Sequence, residues 1–152
     1  MKNFKLNEKD ILSNQDWTFP TTTYYGPGRF NEIAKFCQEF DIKNPLIVTD
    51  SGSKDLPFIE KLIALLSKNN IKSDLFYNIS PNPRDDEISK GCDQFKNGSH
   101  DSIIAIGGGS AMDGGKSICL TVNSETPLWD FEFEQPVPKI TKENAFPKII
   151  TV

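Results

Sequence analysis

No apolar run in the 152 residues approaches the ~20 that a membrane span needs, and residues 1–10 lack the apolar core of a signal peptide. The expectation is a cytoplasmic protein with no membrane partner. A basic stripe is missing as well. At a formal net charge of -4 the chain offers no surface suited to neutralising the phosphates of a nucleic acid. Its lysines stand among carboxylates, as Lys2, Lys5 and Lys9 do beside Glu8 and Asp10, the pattern of a solvated face. Histidine is scarce: His100 alone, in a polar turn, reads as a surface residue and not as a metal ligand. Cys37, Cys92 and Cys119 show no CxxC spacing and sit beside apolar neighbours in helix-like stretches, so they read as small core or near-core residues. Nothing in the sequence pairs Ser with His and an acid, or Cys with His, as a nucleophilic apparatus requires.

What is present is one domain's worth of alternating strand-like and helix-like segments, the signature of a parallel sheet covered by helices. Thr and Tyr favour extended structure over residues 18–25, and Gly26-Pro27-Gly28 turns the chain. Phe30, Ile33, Ala34, Cys37 and Phe40 then form one stripe of a helix over 29–40. A short apolar strand at 46–49 ends on Asp50-Ser51-Gly52, and a helix over 54–69 closes on Asn69-Asn70. Alternation predicts a strand at 71–77. Pro81-Asn82-Pro83 enforces an extended connection, because each proline fixes its own φ and biases the residue before it away from helix. Asp85 and Asp86 suit the first turn of a helix over 85–96. A strand at 101–106, a helix at 110–121 and a last strand at 148–152 follow. Between those last two lies an irregular, proline-bearing stretch, 123–147, with the aromatic cluster Trp129, Phe131 and Phe133; long loops of this kind tend to be functional or mobile.

The strongest chemical signal is the run Ile103-Ile104-Ala105-Ile106 meeting Gly107-Gly108-Gly109-Ser110 at the start of a helix. Glycine lets the backbone turn sharply and lets a diphosphate approach without a Cβ in the way. The N–H groups of the helix start point at the anion, and Ser110 can cap the helix or bond a phosphate oxygen. The alternative is a tight strand-to-helix turn and nothing more, since the run matches neither GxGxxG nor GxxxxGK[ST]. Asp113 and Lys116, three apart on the helix, read as a surface ion pair, yet Gly114-Gly115 between them costs roughly 1 kcal/mol per glycine against alanine and points to something approaching that helix closely. Asp50, at the end of its strand, stands where a nucleotide-binding sheet keeps the carboxylate for ribose hydroxyls; a turn or capping role competes with that. It precedes the glycine turn by more than fifty residues, which is not the usual order.

That order, with Gly107-Gly108-Gly109-Ser110-x-x-Asp113-x-x-Lys116, Tyr25-Gly26-Pro27-Gly28, the segment from Leu46 to Asp50 and Pro81-Asn82-Pro83, resembles the iron-containing (group III) alcohol dehydrogenases of the dehydroquinate synthase-like superfamily, from about Trp17 to Val152. The resemblance implies an α/β fold: a Rossmann-like parallel sheet flanked by helices, the N-terminal domain of a two-domain enzyme. It implies NAD as cofactor, with Asp50 on the adenosine ribose, Asn82 lining the groove, and Gly107, Gly108, Gly109 and Ser110 around the pyrophosphate. Asp113 would lie toward the nicotinamide end, with Lys116 fixing its helix. A carboxylate at Asp50 would repel a 2′-phosphate and so favour NAD over NADP. In the complete enzyme a small alcohol or aldehyde is the substrate and Fe²⁺ or Zn²⁺ the metal. The helical metal-binding domain is absent from this chain, so residues 1–152 are expected to be an NAD-binding half, a fragment or a truncated form, inactive alone. Glycerol dehydrogenase-like and dehydroquinate synthase-like halves remain open, as does a non-catalytic module docking through the Trp129 segment. The sequence also leaves the oligomeric state open, a homodimer included.

Overall fold

The computed structural model describes residues 15–18, 21–132, 134–136, 138, 141–142 and 144–152. The solvated face expected around Lys2, Lys5 and Lys9, and the aromatic Phe133, lie outside them. The described chain runs β1 (Gln15–Thr18), β2 (Thr22–Tyr25), a 3-10 turn (Arg29–Glu32), α1 (Ile33–Glu39), β3 (Pro45–Asp50), α2 (Pro57–Lys68), β4 (Asp74–Ile79), α3 (Asp85–Asn97), β5 (Ser102–Ala105), α4 (Gly109–Thr121), a second 3-10 turn (Leu128–Phe131) and β6 (Lys148–Thr151). Four strands form a parallel sheet in the order β4-β3-β5-β6. This is the expected α/β architecture.

The two central strands explain why the sheet forms. Leu46, Ile47, Val48 of β3 and Ile103, Ile104, Ala105 of β5 are wholly buried, as strands covered on both faces must be. Successive side chains go to opposite faces. Leu46, Val48, Ile103 and Ala105 pack with Phe76 and Ile79 of β4 under α3 and α4, against Ile88, Phe95 and Ile118. Ile47, Ile104 and Ile106 pack on the other face with α1 and α2, through Ile33, Cys37, Leu62 and Leu66. Pro57 opens α2 at its first turn, where its missing N–H costs nothing. The helix stops as expected: Asn70 takes the left-handed conformation at φ 59, and the Ile71 N–H returns to the Leu66 carbonyl at 3.0 Å.

Four expectations need correction. Residues 18–25 are not one strand: β1 and β2 form an antiparallel hairpin, Thr18 opposite Thr22, that joins no strand of the main sheet. The segment expected as a single helix from 29 begins as a 3-10 turn and becomes α-helical only at Ile33. The strand expected at 71–77 lies at Asp74–Ile79, and a register irregularity against β3 between Val48 and Asp50 accompanies the burial of Phe76 and Ile79, three apart, in one core cluster. His100 is buried, not superficial. Its Nδ1 lies 3.0 Å from the Asn44 carbonyl, its Nε2 is 3.3 Å from Asp74 Oδ2, and its ring leans on Phe95. Gly98 makes this possible, since a Cβ there would come within 2.3 Å of Nε2.

The cysteines behave as read. Cys37 and Cys119 are buried, Cys92 half-buried, and burial pushes the Cys37 and Cys119 thiols up to about 11, so neither forms a thiolate readily. Among the described residues no helix is long and apolar enough to cross a membrane.

Candidate functional site

The carboxyl ends of β3, β4, β5 and β6 deliver Asp50, Ser80, Ile106 and Val152 to one edge of the sheet. From β3 the chain turns one way to β4, then returns past β3 to β5 on its other side. The reversal opens a crevice between β3 and β5, where open α/β sheets bind ligands. Asp50 and the glycine turn face each other across it: a Cβ on Gly107 would lie 3.3 Å from Asp50 Oδ2 and 3.4 Å from Thr49 Oγ1.

The three glycines of the turn have different reasons. Gly107 sits at φ +138, and a Cβ there would press to 2.9 Å from that of Ala111, so the turn itself demands glycine. Gly108 has φ -75 and ψ -175, which any residue adopts, and Gly109 opens α4. A Cβ added at either would meet nothing within 4 Å. Neither backbone geometry nor internal packing asks for glycine at these two positions. They leave the N-terminus of α4 bare. No side chain caps it, so its first N–H groups face outward with the positive end of the helix dipole.

Ser110 does not cap the helix. Its hydroxyl donates to the Pro81 carbonyl at 2.6 Å. The bond ties the Pro81-Asn82-Pro83 loop to the glycine turn. Asn82 is exposed, and its carbonyl accepts the Ser80 hydroxyl at 2.9 Å. Asp50 fills the turn role that competed with the ribose reading: Oδ1 accepts the N–H groups of Gly52 and Ser53 at 3.0 Å, and Oδ2 accepts the Ser53 hydroxyl at 2.8 Å. Oδ2 takes this one bond and so keeps a second acceptor position.

The close approach expected at Gly114 and Gly115 is present, and it is made by the chain itself. What approaches α4 closely is the sheet: a Cβ on Gly114 would meet Ile79 Cδ1 at 2.8 Å, and one on Gly115 would meet the Ala105 Cβ at 2.4 Å. Asp113 and Lys116 form an exposed ion pair, 3.7 Å apart. Two features had no sequence signal. One is a pocket of about 350 Å³ beside the turn, walled by Phe30, Leu56, Phe58, Ile106, Gly108 and Val152. The other is Glu87, buried in the first turn of α3, whose Oε2 accepts the Ser80 N–H at 3.1 Å, the Ser80 hydroxyl at 3.0 Å and the Arg84 N–H at 3.1 Å. Burial works to raise its carboxyl, but these bonds and the Arg84 guanidinium outweigh that and hold it below the usual carboxylate range. Among the described residues no group of three His, Cys, Asp or Glu converges to hold a metal ion.

Residues 20–152 match the family model described as iron-containing alcohol dehydrogenase. The chain is 28% identical over 136 residues to 1,3-propanediol dehydrogenase of Klebsiella pneumoniae, covering 86% of this chain and 35% of that protein. It is 31% identical over 138 residues to NADH-dependent butanol dehydrogenase A of Clostridium acetobutylicum, covering 90% of this chain and 35% of that protein. A crystal structure of 1,3-propanediol oxidoreductase superposes with a TM-score of 0.74 at 28% identity, over 83% of this chain and 32% of that one. The chain thus spans about a third of the length of these relatives.

Proposed function

The chain belongs to the iron-containing alcohol dehydrogenase family, and from that premise we propose that it is the NAD(H)-binding unit of an enzyme that passes hydride between NAD(H) and an alcohol or aldehyde. The observation that carries this reading is the pair Gly108 and Gly109, kept bare over an uncapped helix N-terminus although nothing among the described residues requires it. A diphosphate laid there would meet the first N–H groups of α4 and the positive end of its dipole, and the missing Cβ atoms let it reach the backbone. Gly107 shapes the turn, and the main chain of Gly108, Gly109 and Ser110 holds the pyrophosphate. Asp50 accepts an adenosine ribose hydroxyl on Oδ2, and Asn82 lines the groove. Asp113 lies toward the nicotinamide end, with Lys116 paired to it. The apolar pocket beside Gly108 offers an aromatic ring of the dinucleotide a nonpolar wall.

When bound, NADH supplies the hydride; the residues here bind and orient it. The charge of Asp50 disfavours a 2′-phosphate, which supports NAD over NADP, as does the NADH dependence in the name of the Clostridium relative. Among the described residues no group of His, Cys, Asp or Glu fits a metal, and the expected behaviour of the 152 residues is cofactor binding without turnover.

Calorimetric titration of the chain with NAD, NADP and ADP-ribose tests this. NAD and ADP-ribose should bind and NADP bind more weakly, with Asp50→Gly narrowing the gap. No binding of any of the three removes the reading; an unchanged NAD/NADP preference removes Asp50 from it. NADH consumption by the chain with added metal and an aldehyde would overturn the expected inactivity.

A further inference from the structure

We propose that Glu87 is a positioning residue of the dinucleotide site, fixing the Pro81-Asn82-Pro83 loop so that the Asn82 side chain is presented beside the glycine turn. The inference rests on the functional reading above and extends it to a residue that touches no cofactor.

A glutamate in the third position of a helix caps it by accepting one N–H, that of the N-cap residue. Glu87 does this with Arg84, and then does more: the same oxygen, Oε2, takes both the N–H and the hydroxyl of Ser80, at the end of β4. Those two bonds add nothing to the cap. They close the mouth of the five-residue segment from Ser80 to Arg84, with both ends on one buried carboxylate oxygen. Oε1 faces the Arg84 guanidinium at 3.2 Å, so the second oxygen is engaged too. Inside the closed loop Pro81 and Pro83 have fixed φ and no N–H to redirect, the Pro81 carbonyl is held by Ser110, and the Asn82 carbonyl is held by Ser80. What remains free is the Asn82 amide, exposed and without a hydrogen-bond partner of its own among the described residues. Burying a carboxylate is costly unless its oxygens are satisfied, and here the satisfaction is spent on the geometry of one short loop.

Preorganisation of this kind appears in affinity, because a loop that must order on binding subtracts that cost from the interaction. The test is a double-mutant cycle on the 152-residue chain, reading NADH dissociation constants by fluorescence titration and stability by chemical denaturation. Glu87→Ala should weaken NADH binding about tenfold. In an Asn82→Ala background the same change should have little further effect on binding, while its effect on stability persists in both backgrounds. Glu87→Gln retains an acceptor oxygen and should fall between wild type and Glu87→Ala, which keeps the test decisive where alanine prevents folding. Equal losses of affinity in both backgrounds, or no loss in either, overturn the role of Glu87 while leaving the dinucleotide site standing. A wild-type chain that binds no NADH overturns both.

Discussion

Four glycines around one turn give opposite answers to one question: what would a Cβ do there? At Gly108 and Gly109 it would enter open space, and at Gly115 it would collide with the Ala105 Cβ at 2.4 Å. Gly107 carries both a positive φ and a crowded neighbour. Gly108→Ala should therefore leave stability unchanged or raise it by up to about 1 kcal/mol, through the lost freedom of the unfolded chain. On the proposed function the same variant should weaken NAD binding, because its methyl would stand where the pyrophosphate is proposed to lie. Gly115→Ala should do the reverse, costing about 1–3 kcal/mol of stability by overpacking against the sheet. Denaturation midpoints paired with calorimetric affinities check this; a destabilised Gly108→Ala with unaltered affinity would assign its glycine to the fold after all. The sequence could not separate these glycines. A close approach by a ligand and a close approach by a neighbouring strand select the same residue, and only the position of Ala105 and Ile79 tells them apart.

Helix α3 carries its acidic residues in its first turn, Asp85, Asp86 and Glu87, where the helix dipole favours them. For Asp86, hydrogen bonds from Lys90 and Arg84 lower the carboxyl; for Glu87, burial works against ionisation but the bonds from Ser80 and Arg84 outweigh it. A carboxyl whose folded pKa lies below its unfolded value, ~4.3 for a glutamate, contributes stability that is fully present above the unfolded pKa. That contribution is lost as pH falls through the folded pKa. Urea midpoints should accordingly decline below about pH 4, with the Asp86 part screened by salt and the Glu87 part less so. Glu87→Gln, having nothing to protonate, should show a shallower decline than wild type; an identical slope would remove Glu87 from the acid response. The element-level reading of the sequence anticipated Asp85 and Asp86 as dipole partners and passed over Glu87. The burial of Glu87 was not legible because it follows from where Ser80, the residue after β4, meets it, a tertiary fact with no local signature. His100 escaped detection for the same reason: its burial depends on Asn44, Asp74 and a missing Cβ at Gly98.

At the scale of the molecule, β3, β5 and the helices packed on them were legible because continuous apolar runs and helical stripes leave few alternatives. The hairpin was not, since Gln15–Thr18 carries no alternation and its pairing with β2 is set outside the main sheet. This division has a dynamic consequence. The glycine turn and Asp50 grow from the two strands buried on both faces, whereas β1 and β2 form an isolated pair, and a two-stranded hairpin is marginal alone in water. Among the described residues the ring of Tyr24 ties the hairpin to the domain, stacked on Phe36 at 4.3 Å, with the Arg29 guanidinium 5.1 Å from the Tyr24 ring. Local opening should then be graded: amides of β3 and β5 exchange only on global unfolding, those of β2 through a cheaper opening that leaves the sheet intact. Native-state hydrogen exchange measures this directly. Tyr24→Ala should accelerate exchange in β2 without changing protection at Val48 or Ile104, and without changing NAD affinity, because the site is anchored to the sheet and not to the hairpin. If protection at β3 falls along with β2, the two parts unfold as one cooperative unit, and the rigidity of the crevice then depends on the hairpin as well as on the strands that carry it.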